Sequence, residues 1–361
     1  MAQANLQSQS LLFQLPQEIR DHIYHQLFAS TRFSFGRCVT GGIADFTVKP
    51  APNGLALLRA CRRAQLEIGN SWLRHVLFCF EDAKSMLDKL SALPTRTLSM
   101  MRRMRISGDT LMLTLPDDPD DTKVFYRLVA VLKLLPGLRL DQLTVLGTIW
   151  HQVNYDTLDG LITDGNGWKT LRYISCSSVM LGYPSRHQLP FMRPSWTEKP
   201  QSWRQPQPKH WQTVLEGRDG AASGPSVTIY RAKEPGSCGS ILDPAKRVGY
   251  KQKPRKNPHS RPDVFPADPE LMTGDEQHKE IMVVVKRGSG VDYGERKSSP
   301  FISSDIRRDF PGRTWAQTRA AYIDHRLGED EEAERDPIRE DVYSHVDEYA
   351  FQPPRIIIVD P

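Results

Sequence analysis

Three short clusters have residue types suited to chemistry. His22 and His25 lie three apart, a spacing that places two imidazoles on adjacent turns of a helix and suits a metal ligand pair. No cysteine or acid is spaced to complete that set, so the surface-histidine reading is preferred. The run Asp117, Asp118, Asp120 and Asp121 would attract a hard cation, but Pro119 interrupts it and it lacks the register of a calcium loop. His345 and Asp347 form a base and orienter without a nucleophile. The glycine cluster at 287–294, RGSGVDYG, has Tyr293 where a dinucleotide loop requires its third glycine, and it follows a strand-like run without opening a helix. It is read as a turn. No G-x-S-x-G elbow, phosphate-binding G-x-x-x-x-G-K-[ST] or H-E-x-x-H is present. The expectation is a non-enzymatic chain with no catalytic, cofactor-binding or metal residue.

Composition narrows the partners. The chain has 361 residues, 48 Lys and Arg against 43 Asp and Glu, and a formal net charge of +5. So weak a field does not argue for nucleic acid. One local run, Lys251, Lys253, Arg255 and Lys256, has the look of a nuclear import signal. The 5 cysteines contain no C-x-x-C pair and read as reduced thiols. No apolar stretch approaches the roughly 18 residues a membrane span needs, and no basic, then apolar leader opens the chain. A cytoplasmic or nuclear location without membrane contact is expected.

The elements that must position any site follow from periodicity. Residues 15–27, LPQEIRDHIYHQL, carry Ile19, Ile23, Tyr24 and Leu27 at helical spacing, which predicts one apolar stripe with Arg20, Asp21, His22 and His25 facing solvent. Residues 28–54 break the period and predict a hairpin or loop insertion. The helical period resumes with Leu58, Cys61, Gln65, Ile68 and Trp72 on one face. Three later segments align: MRRMRISG (101–108), LDQLTVLG (140–147) and WKTLRYIS (168–175) share large apolar residues at their first, fourth and sixth places. Each follows a helix-like run: residues 81–93, 123–135 and 155–162. The aligned Met104, Leu143 and Leu171 are 39 and 28 residues apart. This predicts an α/β fold, or α+β, with an irregular leucine-rich-repeat-like layer or a plain α/β layer of three helix–strand pairs.

Three regions are expected: 1–80 helical with the insertion at 28–54, 81–178 repeat-like, and 179–361 rich in Pro and charge and partly disordered. The last would hold isolated strands at 226–232, 280–288 and 355–360 and one helix at 313–327. Residues 245–262 are densely basic, and 328–341, GEDEEAERDPIRED, largely acidic.

The two N-terminal motifs together resemble the F-box-like protein family of filamentous ascomycete fungi, a largely uncharacterised group. Its L-P-x-E-I-R-x-x-I-Y helix matches Leu15, Pro16, Glu18, Ile19, Arg20, Ile23 and Tyr24. Its L-L-R-x-C-R-x-x-x-x-E helix matches Leu57, Leu58, Arg59, Cys61, Arg62 and Glu67, and its F-x-F strand Phe78 and Phe80. The resemblance covers about a quarter of the chain and implies an adaptor that docks on a Skp1-like protein and recruits an unknown protein substrate to a cullin ubiquitin ligase. Leu15, Pro16, Ile19 and Ile23 would be the anchors, although residues 28–54 interrupt the continuous F-box pattern. The alternatives are an interaction scaffold unrelated to ubiquitin, or an enzyme without a readable motif.

Overall fold

The computed structural model describes residues 10–35, 56–60, 62–115, 122–148, 150–182, 206–236, 239–253 and 268–322. Helices α1 (Leu11–Gln14) and α2 (Gln17–Ala29) lead into strand β1 (Arg32–Phe35), and α3 (Ala56–Ala60) and α4 (Arg62–Ile68) precede β2 (Leu77–Phe80). Next come α5 (Ala83–Leu90), α6 (Thr95–Leu98), β3 (Arg103–Ser107), the hairpin β4 (Leu111–Thr114) and β5 (Lys123–Tyr126), and α7 (Leu128–Leu132). Then follow β6 (Leu140–Leu146), α8 (His151–Thr163), β7 (Trp168–Ser175) and α9 (Lys209–Asp219). The last elements are β8 (Ser226–Ala232), β9 (Arg247–Tyr250), β10 (Ile281–Lys286), α10 (Ile306–Asp309) and α11 (Trp315–Tyr322).

The protein is mixed α/β. Eight strands form one sheet in the order β1-β2-β3-β6-β7-β10-β8-β9. The first five are parallel and lie in chain order, and β10, β8 and β9 extend the sheet antiparallel. The three aligned sequence segments are hydrogen-bonded neighbours in matching register: Met104 faces Leu143 and Leu143 faces Leu171, while Ile106, Val145 and Tyr173 line up beside them. Alternation along each strand sends these side chains to one face. There they join Met86, Leu87 and Leu90 of α5, Leu128 to Leu132 of α7, Leu158, Leu161 and Ile162 of α8, and Trp211 and Leu215 of α9 in a single apolar cluster. The opposite face carries a small cluster of Leu146, Ile174 and Met282 under Ile241.

Local sequence explains several boundaries. Asp82 accepts from the Ser85 amide at 2.7 Å while the Ser85 hydroxyl accepts from the Asp82 amide, a capping box that starts α5. Gly108 and Gly147 follow β3 and β6 where the strands crowd. A Cβ on Gly147 would sit 3.1 Å from the Ile174 carbonyl oxygen and the Ser175 Cα.

The structure corrects four expectations. Residues 123–126 are a strand, and only 128–132 of the expected helical run are helical, because 123–126 pair antiparallel with β4 in a hairpin that ends on Tyr126, whose hydroxyl donates to Asp309 at 2.7 Å. The helix expected to continue to Trp72 ends at Ile68, where Gly69 adopts φ +51°. Strands 226–232 and 281–286 are not isolated: β10 pairs with β7 on one side and β8 on the other. Helix α9 lies in a stretch where no element was expected, and it buries Trp211 and Leu215 against the core. Of the helix expected at 313–327, Trp315–Tyr322 is helical and 323–327 lies outside the described residues, as does the strand expected at 355–360.

The C-terminal half is tied in by charge as well as by the sheet. Arg287 grips Asp219 through two nitrogens at 2.7 and 3.0 Å, with the two side chains 3% and 0% exposed, and the Gly288 amide donates to the same carboxylate. Arg218 beside it donates to the Ile162 and Gly165 carbonyls and to Asn166, and burial and the neighbouring Arg287 push its pKa down to about 10. Replacing Asp219 by Ala is expected to strand the Arg287 guanidinium and to cost about 3–5 kcal/mol. The double change Asp219→Leu with Arg287→Met should recover most of that loss, as read by urea denaturation of the full chain.

Candidate functional site

Helix α2 faces two ways, and the face that meets the core is not the one its apolar residues predict. Arg20, Tyr24 and Phe28 are buried. Ile19, Ile23 and Leu27 are 50%, 38% and 39% exposed, and Leu15, just ahead of the helix, is 37% exposed. The expected stripe is therefore split. Of its four members only Tyr24 packs inward, and Arg20, expected in solvent, is the buried one.

The reason is a polar tie between the two sequence motifs. Arg20 donates to both carboxylate oxygens of Glu67 on α4, from Nε at 3.0 Å and from Nη2 at 2.9 Å. Tyr24 donates to Glu67 at 3.1 Å, and Arg63 one turn earlier donates at 3.0 Å. The remaining nitrogen, Nη1, donates to the Leu15 carbonyl and Nη2 also donates to the Gln17 side chain, so the guanidinium also pins the start of its own helix. Burial works against ionisation of Glu67, but the bonds from Arg20, Arg63 and Tyr24 outweigh it and hold its carboxyl below the usual range. The same carboxylate, through its hydrogen bond, raises Arg20, while burial and then the bond to Glu67 raise Tyr24. A helix turns about 100° per residue, so once positions 20, 24 and 28 are buried, position 19 faces away, while 23 and 27 fall on the flank and stay partly exposed.

The result is a row of aliphatic side chains at every fourth residue, Leu15, Ile19, Ile23 and Leu27, along a helix held rigidly by its other face. Pro16 is exposed at its start, and its carbonyl accepts from the Ile19 and Arg20 amides. Leu66 on α4 is 73% exposed, and Gln65 beside it, expected on the inner face, is exposed too. Such a surface offers no acid, base or nucleophile. What it can do is bury itself in a complementary apolar groove.

The other sequence candidates are dispersed. His22 is exposed; His25 meets His75 with facing Nδ1 atoms 3.0 Å apart. Among the described residues no three His, Cys, Asp or Glu side chains cluster as metal ligands. Lys251 and Lys253 are exposed, while Arg255, Lys256, residues 117–121, His345 and Asp347 lie outside the described residues. The turn 287–294 supplies the Gly288 amide to Asp219. Cys79 is buried and Cys176 half-buried, and neither forms a disulfide. Among the described residues no helix is long and apolar enough to cross a membrane.

A buried polar cluster that sequence reading missed sits at the C-terminal ends of β6 and β7, where open α/β sheets place their ligands. Asn154 accepts from the Thr148 amide at 2.7 Å and from the Tyr173 hydroxyl at 3.0 Å, and donates to the Thr148 carbonyl at 2.8 Å. Its bonds are all made within the chain, which suits a tie between strand ends and leaves nothing aimed at a ligand. A shallow depression of about 360 Å³ lined by Gln26, Ala29, Ser30 and Arg32 lies at the end of α2 and holds no convergent titratable groups.

The His25–His75 contact makes this module sensitive to acid. Burial first, then repulsion from His25, Arg103 and Arg74, hold His75 below its usual range. A group whose pKa is lowered by folding contributes stability that is complete above its unfolded value, about 6.5 for His, and that is lost as pH falls below it. Glu67 follows the same sign in a lower window, beginning near the ordinary carboxylate value of about 4.3. Amide exchange of α2, corrected for intrinsic rate, is expected to speed up between pH 7 and 5, and His75→Gln should flatten that step while leaving the lower one.

No family model, no curated protein and no solved structure matches the chain.

Proposed function

We propose that the chain is a non-enzymatic protein-interaction adaptor that docks α2 into an apolar groove of a Skp1-like protein, and so serves as the substrate-recruiting subunit of a cullin ubiquitin ligase. The observation that carries this reading is the exposed row Leu15, Ile19 and Ile23 beside Pro16. Those positions coincide with the outward half of a motif whose inward half, Arg20, Tyr24 and Glu67, is used up in holding the helix. Helix-in-groove recognition draws its affinity from a few aliphatic anchors at this spacing.

The neighbouring strands fit the recruiting role. Three segments with a shared apolar pattern, laid side by side in register and in chain order, support a leucine-rich-repeat-like layer that sets a second surface at a fixed angle to the first. The same apolar row would equally serve a scaffold unrelated to ubiquitin.

Titration calorimetry with purified Skp1 separates the two. The unchanged full chain should bind. The double change of Ile19→Asp and Ile23→Asp should weaken binding by about 100-fold, two anchors at about 1.4 kcal/mol each. Both positions are solvent-facing, so circular dichroism and thermal unfolding should stay unchanged. Failure of the unchanged chain to bind Skp1 ends the ubiquitin-ligase reading.

A further inference from the structure

The sheet ends at β9, and that end is open. β9 pairs antiparallel with β8, Tyr250 opposite Ile229 and Arg247 opposite Ala232. In an antiparallel ladder successive residues turn their backbone N–H and C=O alternately toward one neighbour and the other. The Lys233 amide donates to the Lys246 carbonyl at 2.9 Å, and the Gln252 amide, two residues past the strand, donates to the Gln207 carbonyl at 2.8 Å. Residues 246, 248, 250 and 252 are therefore turned inward, and Arg247, Gly249 and Lys251 turn their backbone groups outward. Among the described residues no strand lies beyond β9, and the backbone groups of these three have no partner. The edge is in water: Val248 is 47% exposed, and Lys246, Gly249, Lys251 and Lys253 are exposed too. A Cβ placed on Gly249 would have no atom within 4 Å.

We propose that β9 is a docking edge for an extended segment of a partner protein, which adds to the sheet as a further strand and carries an acid, an aliphatic, a bulky apolar, an aliphatic and an acid in succession. Main-chain bonds to Arg247, Gly249 and Lys251 hold the segment, and the side chains of the edge select its sequence. Residues 247, 249 and 251 share the face of Tyr230, over whose ring Arg247 lies at 4.4 Å. On that face the two acids stand opposite Arg247 and Lys251, and the bulky residue between them fills the open space over Gly249. The nearby Asp243 is occupied in accepting from the Ala245 amide at 2.9 Å. On the other face the aliphatic residues cover Val248 and lie beside Tyr250, whose hydroxyl donates to Asp268 at 2.8 Å. Lysines also deter chance pairing at a sheet edge, and a second copy of this chain is the wrong occupant: paired antiparallel about Gly249, two copies would set cations opposite cations about 5 Å apart. β9 is at the far end of the sheet from β1 and α2, about 34 Å across seven strand spacings, so this docking stands whether or not α2 binds a Skp1-like protein.

Fluorescence anisotropy of the labelled peptide TEVFVET with the full chain tests this. The peptide should bind at least tenfold more tightly than TKVFVKT, and at least tenfold more tightly than TVEEVFT, which keeps its composition and charge but not its spacing. Lys251→Glu should weaken binding at least fivefold and shift the preference to a peptide in which one of the two acids is replaced by lysine. Gly249→Pro removes one outward amide while leaving the bonds to β8 in place, as proline is tolerated on the solvent side of an edge strand. It too should weaken binding at least fivefold, with circular dichroism and thermal unfolding unchanged. In amide exchange read by NMR, the Gly249 amide should be fast in the chain alone and slow at least fivefold with saturating TEVFVET. Equal binding of the three peptides, no binding of TEVFVET at 1 mM, a Gly249 amide already protected without peptide, or binding that neither variant alters would each overturn the proposal.

Discussion

Five parallel strands laid side by side in chain order constrain everything else in this protein. Each connection must cross over and return to the next position, and because crossovers between parallel strands share one hand, all of them stack on the same face. That face needs an apolar layer of helices, and it has one, in a single cluster running from Tyr24 to Trp315. Among the described residues the other face receives no helix from these connections. Its residues are free of the demand to be apolar, and the arginines of β1, β3 and β7 accumulate there. The same ordering puts β1 at the sheet edge, so that α2, which precedes it, packs at the end of the molecule with one side open.

At that end a single ion pair decides which side is open. Had Ile19, Ile23 and Leu27 packed inward, α2 would have been an ordinary amphipathic helix with Arg20 in water. Burying a guanidinium is costly unless its charge and its donors are matched. Glu67 matches the charge bidentately, and the Leu15 carbonyl and Gln17 take other donors. Once this pocket exists, rotating the helix to hide the isoleucines would leave Glu67, with its bonds to Arg20 and Tyr24 gone, partly buried beside Arg63 alone. The aliphatic row is exposed because the polar tie is the stronger demand.

This explains what could be read from the chain and what could not. The three strand segments were largely legible: their fourth and sixth apolar positions are true register partners, and at the first place Leu140 pairs with Trp168 while Met101 lies ahead of its strand, since a buried parallel strand needs large side chains on its helix face and neighbouring strands need them at the same level. The direction of α2 was not legible, because periodicity weighs Ile above Arg and cannot foresee a carboxylate 47 residues away. Residues 123–126 failed for a similar reason, their apolar run being shared between a hairpin strand and a helix. The joining of β10 and β8 to β7 depends on pairings 50 or more residues apart in sequence, which local pattern does not encode. The candidate anchors were named from motif resemblance, and their exposure only from the folded chain.

The exposed aliphatic row also fixes how contact there would respond to conditions. Such a row binds by removing apolar area from water, a gain almost independent of ionic strength. A partner seated on α2 would therefore be retained as salt rises. Behind the helix the parallel strands are hydrogen-bonded without a break from β1 to β7, so α2 is set against a continuous sheet rather than a loop.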